Sequence, residues 1–315
     1  MVSAVPVDDA MGEDIAPVPV PTDGGPTVAV AFGGGGARGL AHIHVIQVLD
    51  ELGVRPVAVA GSSIGAMMAA GMAAGMSGRD IEAHARAVLS NRGEAMTRMW
   101  RSLPRSVGEL LANGIRIGQF DIARILGAFM PEGVPGRFDE LKTPLQVTAT
   151  DFYGNSELVF SQGDLSLALA ASAALPALFR PVRHEGRILI DGGVTNPVPF
   201  DLLHDKADIV IAVDVVGAPT GAPRGNPTSM DLLIGASQIM MESIIEMKLR
   251  QTPPQILLRP PVSHFGVLDF LKVNRVLEET APIRDELKRA VEAAVERHLR
   301  HGGSAAGRSL NVTEL

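Results

Sequence analysis

The sequence of 315 residues contains no cysteine, which excludes disulfide staples and thiolate-held metal sites. Aromatic residues make up only 4%, with one Trp and one Tyr, so any core must be filled by Ala, Val, Leu, Ile and Met. No run reaches the ~18 uninterrupted apolar residues that a bilayer span requires. Residues 1–26 hold five prolines and five acids but no Lys or Arg. That stretch lacks the basic start and apolar centre of a signal peptide and the arginines of a transit peptide, and reads as a disordered leader. Residues 301–315, "HGGSAAGRSLNVTEL", read as an equally loose tail. Cationic charge is scarce too: 28 Lys and Arg against 35 Asp and Glu leave a net charge of −7. A general nucleic-acid binder is thereby excluded, because neutralising phosphates needs clustered basic side chains. These absences fit a cytoplasmic protein whose membrane contact, where it occurs, is peripheral.

What remains is 46% hydrophobic, enough for a substantial core. "TVAVAF" (27–32) reads as a buried strand, followed by a helix over 36–52 that Gly53 stops. "RPVAVAG" (55–61) is a second buried strand that runs into the Ala-, Gly- and Met-rich helix "SSIGAMMAAGMAAGM". Strand, helix, strand, helix in this order signals a parallel sheet. Ser77 caps a helix over 79–90, and "LQVTATDF" (145–152) and "SELVF" (156–160) return to strand patterning. Asp164 caps "LSLALAASAAL", which Pro176 ends. "PVRHEGRILIDGG" is a hairpin turning at Glu185–Gly186, and "DIVIAVDVV" and "QILLRP" are further strands. Thr228 and Asp231 stand at capping-box spacing before a long helix to about Arg250. A helix over 282–300 carries the apolar stripe Ile283, Leu287, Val291 and Val295. No repeat or linker divides residues 27–300, which read as one domain.

Three motifs carry chemistry. Gly33 to Gly36 end the first strand just before a helix, a position suited to cradling a phosphate or aiming N–H groups at a developing oxyanion. Gly34, Gly36 and Gly39 satisfy the dinucleotide fingerprint G-x-G-x-x-G, which makes an NAD- or FAD-binding oxidoreductase one alternative. That fingerprint needs an acid at the end of the second strand. The strand ends "VAGSSIG" instead, and Asp50 and Glu51 lie at the end of the preceding helix. "GSSIG" (61–65) has the form G-x-S-x-G, with Ser63 on a strand-to-helix turn where a nucleophile elbow would hold its hydroxyl up between Gly61 and Gly65. Finally, Asp191 ends the apolar run "ILID" and is followed by Gly192 and Gly193. Partial desolvation at such a strand end raises a carboxylate's proton affinity towards that of a useful base.

With "GGGARG" (34–39), "GSSIG" and "DGG" in this order, flanked by "SAALPALFRPV" and "NPVP" (196–199), the sequence resembles the patatin-like phospholipases over residues 27–290. The resemblance implies a three-layer α/β/α sandwich with a mostly parallel central sheet, and no metal or cofactor. It implies a Ser63–Asp191 dyad acting on a lipid or other ester substrate. The oxyanion would be held by the N–H groups of Gly34, Gly35 and Gly36, with Arg38 in the same motif orienting the loop. A non-catalytic scaffold that binds acyl chains is the remaining alternative. Head group, acyl position and oligomeric state have no signature in the sequence.

Several other residues admit a functional reading. His42 and His44 are two apart on a helix, not at metal-ligand spacing, and read as structural. His264, in the loop "PPVSHFG", is the one histidine placed late enough for a Ser–Asp–His order. Residues 92–118 carry Trp100 with Arg98, Arg101 and Arg105; they read as a cover helix, or alternatively as a lid that meets anionic lipid. Met230, Met240, Met241 and Met247 read as core of the late helix, with an acyl channel as the alternative.

Overall fold

The computed structural model describes residues 25–90, 93, 120–219, 227–300 and 310–311. All described strands belong to one nine-stranded sheet in the order β5-β6-β3-β2-β1-β7-β8-β9, with β4 paired to β3. These are β1 (Val28–Phe32), β2 (Ala58–Ser62), β3 (Leu145–Asp151), β4 (Ser156–Phe160), β5 (Val182–His184), β6 (Arg187–Asp191), β7 (Ile209–Val213), β8 (Ile256–Leu258) and β9 (Leu310–Asn311). The central strands β1, β2 and β7 are buried at every residue, as expected of parallel strands covered on both faces.

The sheet is mixed, which corrects the expectation of a mostly parallel one. β1, β2, β3, β7, β8 and β9 pair in parallel, whereas β4, β5 and β6 pair antiparallel. Tight turns are the cause, because a short connection can only return the chain antiparallel. Glu185 and Gly186, with φ of 46° and 76°, close the β5–β6 hairpin in the left-handed region that such turns need.

Helices flank the sheet on both faces. On one lie α1 (His42–Glu51), α2 (Ile64–Ala73), α3 (Gly78–Leu89), α4 (Ile122–Phe129), α5 (Leu165–Ser172), α7 (Val273–Thr280) and α8 (Ile283–Arg300). Val28, Val30 and Phe32 of β1 face them, together with the fully buried Ile43, Ile46 and Leu49 of α1. Burial of each such aliphatic side chain contributes about 1.5–3 kcal/mol. The opposite face presents Ala29, Ala31, Ala58, Ala60 and Ala212, and these small side chains admit the 198–203 segment and the long α6 (Ser229–Gln251).

Local signals place several elements. Ser77 and Asp80 form a capping box at the start of α3, and Thr228 and Asp231 form another at the start of α6. Asp164 caps α5 through the Leu167 N–H. The helix expected over 36–52 begins as a 3-10 turn over Gly36–Ala41 before α1, and α5 stops at Ser172, short of Pro176. The segment 92–118 lies outside the described residues except Gly93. The capping box at α3 predicts that Ser77→Ala lowers stability by about 1 kcal/mol, measurable by denaturant unfolding, whereas Ser90→Ala at the other end of the helix should change little.

Candidate active site

The site is assembled on one edge of β3. β2 pairs with β3 through Ser62↔Thr148, and β6 pairs with it from Asp191↔Ala149 onward. β4 occupies the other edge along Val147–Asp151, so β2 and β6 share the same edge without overlapping. One is parallel to β3 and the other antiparallel, so their C-terminal ends meet. The residue after β2, Ser63, therefore faces the last residue of β6, Asp191. The Ser63 hydroxyl donates to Asp191 Oδ2 at 2.7 Å.

Ser63 has φ 54° and ψ −124°, a strained backbone for a residue with a side chain. Its surroundings hold that geometry. The Ser63 N–H donates to Ser172 Oγ at 2.8 Å, and a Cβ on Gly65 would come within 2.1 Å of the Phe32 carbonyl oxygen. Gly61 abuts the backbone of Ala66, Gly39 abuts Ile64, and Gly192 abuts Thr148. The elbow is thus packed from below and leaves the hydroxyl directed at Asp191.

Asp191 is 4% exposed, and its burial pushes the carboxyl up to about 6, against the opposing pull of hydrogen bonds from Ser63 and the Gly193 N–H. The Gly193 N–H reaches Oδ1 at 2.7 Å. Thr150 Oγ1 donates to the Asp191 carbonyl at 2.9 Å and also contacts Thr195 Oγ1. Both carboxylate oxygens are therefore engaged, and burial gives the group an affinity for protons above that of a solvated aspartate.

The glycine loop lies against Ser63, since a Cβ on Gly34 would stand 3.3 Å from that of Ser63. Its amides are largely committed. Gly33 N–H donates to Val213, Gly34 N–H to Pro197 and Ala37 N–H to Val267. This removes Gly34 from the three expected oxyanion donors, because its N–H already serves the "NPVP" carbonyl. Among the described residues, the N–H groups of Gly35 and Gly36 have no recorded acceptor. Gly36 adopts φ 60°, and a Cβ there would meet the Val267 carbonyl oxygen at 2.2 Å, so no larger residue fits.

Arg38 is buried. It donates to the carbonyls of Phe265 and Val216, a loop-fastening contact. Asp214 Oδ1 accepts from the Val216 N–H at 3.0 Å, while Arg259 bridges Asp214 to Glu242 and Glu246. The strand end beneath Gly35 is thereby held from both sides. His42 Nε2 contacts the Gly33 carbonyl at 2.8 Å, and burial lowers this imidazole to about 4; it is a neutral donor. His44 is likewise buried against the Leu277 carbonyl.

His264 is not part of this constellation: it lies at the surface on Glu279, at 2.5 Å. Asp50 is engaged by the Gly78 N–H, and Glu51 by Arg284 and Lys288. Among the described residues no cluster of three His, Asp or Glu is arranged to hold a metal. Met241 is part-buried beside Gly193, whereas Met240 and Met247 are exposed and not core; the side chain of Met230 lies outside the described residues. Sequence reasoning passed over Ser172, Thr150 and Thr195. The first of these opens the quoted "SAALPALFRPV" run, so a signal for it was present.

A serine and a buried carboxylate thus meet on abutting strand ends, beside a glycine loop whose Gly35 and Gly36 N–H groups have no acceptor among the described residues. The family model for patatin-like phospholipases matches residues 30–204, and the chain belongs to that family. It is 37% identical over 200 residues to an uncharacterized NTE family protein of Mycobacterium tuberculosis (strain ATCC 25618 / H37Rv), covering 63% of this chain and 52% of the relative. It is 27% identical over 290 residues to the lysophospholipase NTE1 of Coccidioides immitis (strain RS), covering 81% of this chain and 17% of the relative. Among solved structures, human GIVD cytosolic phospholipase A2 matches with TM-score 0.42 and 10% identity, over 88% of this chain and 61% of that one. The chain spans about half the length, or less, of the curated relatives it matches.

The Asp191 environment has a consequence for stability. Its carboxyl is raised from 3.8 to about 6 on folding, so folding favours the protonated form. The stability this contributes is fully present below about pH 4 and is lost as pH rises through about 6. Asp191→Asn should therefore melt higher than the wild type at pH 8, with the gap closing by pH 4, as followed by thermal denaturation at the two pH values.

Proposed function

We propose that the protein is a serine lipid acyl hydrolase, of phospholipase A, lysophospholipase or esterase type, that cleaves carboxylic esters through a Ser63–Asp191 dyad. The 2.7 Å hydrogen bond from Ser63 Oγ to the buried Asp191 carboxylate carries the reading, supported by membership of the patatin-like family. Ser63 Oγ attacks the ester carbonyl carbon while its proton passes to Asp191. The carbonyl oxygen becomes an oxyanion within reach of the Gly35 and Gly36 N–H groups, and the N-terminus of α2 adds favourable potential. Collapse breaks the carbon–alkoxy bond, and Asp191 returns the proton to the departing alcohol. Water, deprotonated by Asp191, then attacks the acyl-enzyme, and the fatty acid leaves as Ser63 recovers its proton. Arg38 and His42 act on this chemistry through the loop they fasten. Peripheral contact with a lipid surface belongs to the same proposal, because the substrate's acyl chains reside there.

A fluorophosphonate probe should modify Ser63 alone, as mapped by mass spectrometry, and Ser63→Ala should abolish labelling while the protein still melts cooperatively. Adduct on Ser62 or a distant serine would refute the assignment. Asp191→Asn should lower kcat by roughly 10³–10⁴-fold, and His264→Ala should leave most activity. Gly35→Val, by displacing the loop, should lower kcat by roughly 10²–10³-fold with little change in KM; a raised KM at normal kcat would instead make the loop a binding element.

A further inference from the structure

Among the described residues, the outer face of α6 is unpartnered and apolar. Ile245, Leu249 and Met241 turn inward to the sheet, yet Leu233, Met240 and Met247 on the opposite side are 50%, 60% and 56% exposed, flanked by the exposed Leu232 and Ile239. Isolated exposed apolar side chains are ordinary, whereas a contiguous stripe marks an interaction surface. Taken with the exposed Ala236, Ser243 and Arg250, the series 233, 236, 240, 243, 247, 250 advances by alternating three and four residues. That is the a/d seam of a helix made to pair with another helix, and it runs for about 26 Å.

We propose that this seam is the interface of a homodimer, in which α6 of each copy lies antiparallel to the other about a twofold axis passing between Met241 and Glu242. Two features of the helix select a second copy in that orientation. In an antiparallel seam, position a faces position d, so Met240 meets the partner's Ser243 and Met247 meets the partner's Ala236. Each methionine is thus set against a small side chain. A parallel pair would stack Met240 on Met240 and Met247 on Met247, leaving thin layers at Ala236 and Ser243. Charge gives the same orientation: Arg250, the charged residue of the seam, is exposed at its end. The antiparallel pair lays the methylene stem of each Arg250 over the partner's Leu233. The parallel pair would place like charges side by side. A lipid surface fits less well, since helices that lie on membranes carry Lys and Arg along their polar flanks. Here the flanking Glu242 and Glu246 join Arg259, on a chain of net charge −7.

The test uses the full chain, whose lack of cysteine makes single-cysteine variants clean reporters. Light scattering coupled to size-exclusion chromatography should give twice the mass of one chain at high concentration. The double variant Met240→Glu, Met247→Glu should run at the mass of one chain with an unchanged melting curve. Under mild oxidant Ser243→Cys should crosslink to itself, because its two copies lie only about 4.5 Å apart along the axis. Arg250→Cys should not, because its copies are about 26 Å apart. A wild type that is monomeric at every concentration, a dimer that survives the double variant, or Arg250→Cys crosslinking as readily as Ser243→Cys would each overturn the proposal. So would a monomer that floats with phosphatidylcholine/phosphatidylglycerol vesicles and loses that binding in the double variant, which would assign the stripe to lipid.

Discussion

Two strands that end against each other determine this molecule's site. β2 and β6 approach along the same edge of β3 from opposite directions and stop at Thr148 and Ala149, respectively. Neither can advance without displacing the other, so the residues at their ends, Ser63 and Asp191, are held face to face by sheet hydrogen bonds and not by a mobile loop. The arrangement is costly. A left-handed non-glycine backbone costs on the order of 1–3 kcal/mol, and a buried carboxylate opposes folding at neutral pH. The strained Ser63 follows β2, which is buried at every residue, and Asp191 is itself buried although three of the five β6 residues are not. Strain and desolvation persist there because the surrounding packing leaves no cheaper arrangement.

The glycine loop obeys the same logic. His42 takes the Gly33 carbonyl, Pro197 takes the Gly34 N–H, Val267 takes the Ala37 N–H, and Arg38 reaches across to Val216 and Phe265. Each bond fixes one peptide, and the two N–H groups left over belong to adjacent glycines at the centre. In the proposed mechanism, donors preorganised in this way need no rearrangement when charge develops. The charged pair Asp214–Arg259 contributes at a distance, holding Val216 and, with it, the strand end on which Gly35 rests.

What the sequence reveals of this follows the range of each interaction. The elbow at "GSSIG", the caps at Ser77, Asp164 and Thr228, and the turn at Glu185–Gly186 depend on residues within a few positions of one another, and all are legible locally. The mixed sheet is not, because a hairpin announces its own turn but not the strand it will join. Loss of Gly34 as a donor has the same origin: its acceptor, Pro197, is 163 positions away. The exposure of Met240 and Met247 was hidden for a different reason. α6 is apolar on two faces, one against the sheet and one outward, so its composition reads as core throughout. α7, at eight residues, is too short to establish a period.

The central claim is that a carboxylate, and not an imidazole, takes the serine proton. The most direct measurement is the pH dependence of kcat/KM on a soluble ester, recorded at several temperatures. The account predicts an acidic limb near the value of about 6 to which Asp191 is raised. That limb should hardly move with temperature, because carboxyl ionisation absorbs little heat. A limb that shifts steeply to lower pH on warming, as imidazole ionisation does, and that disappears in His264→Ala would contradict it.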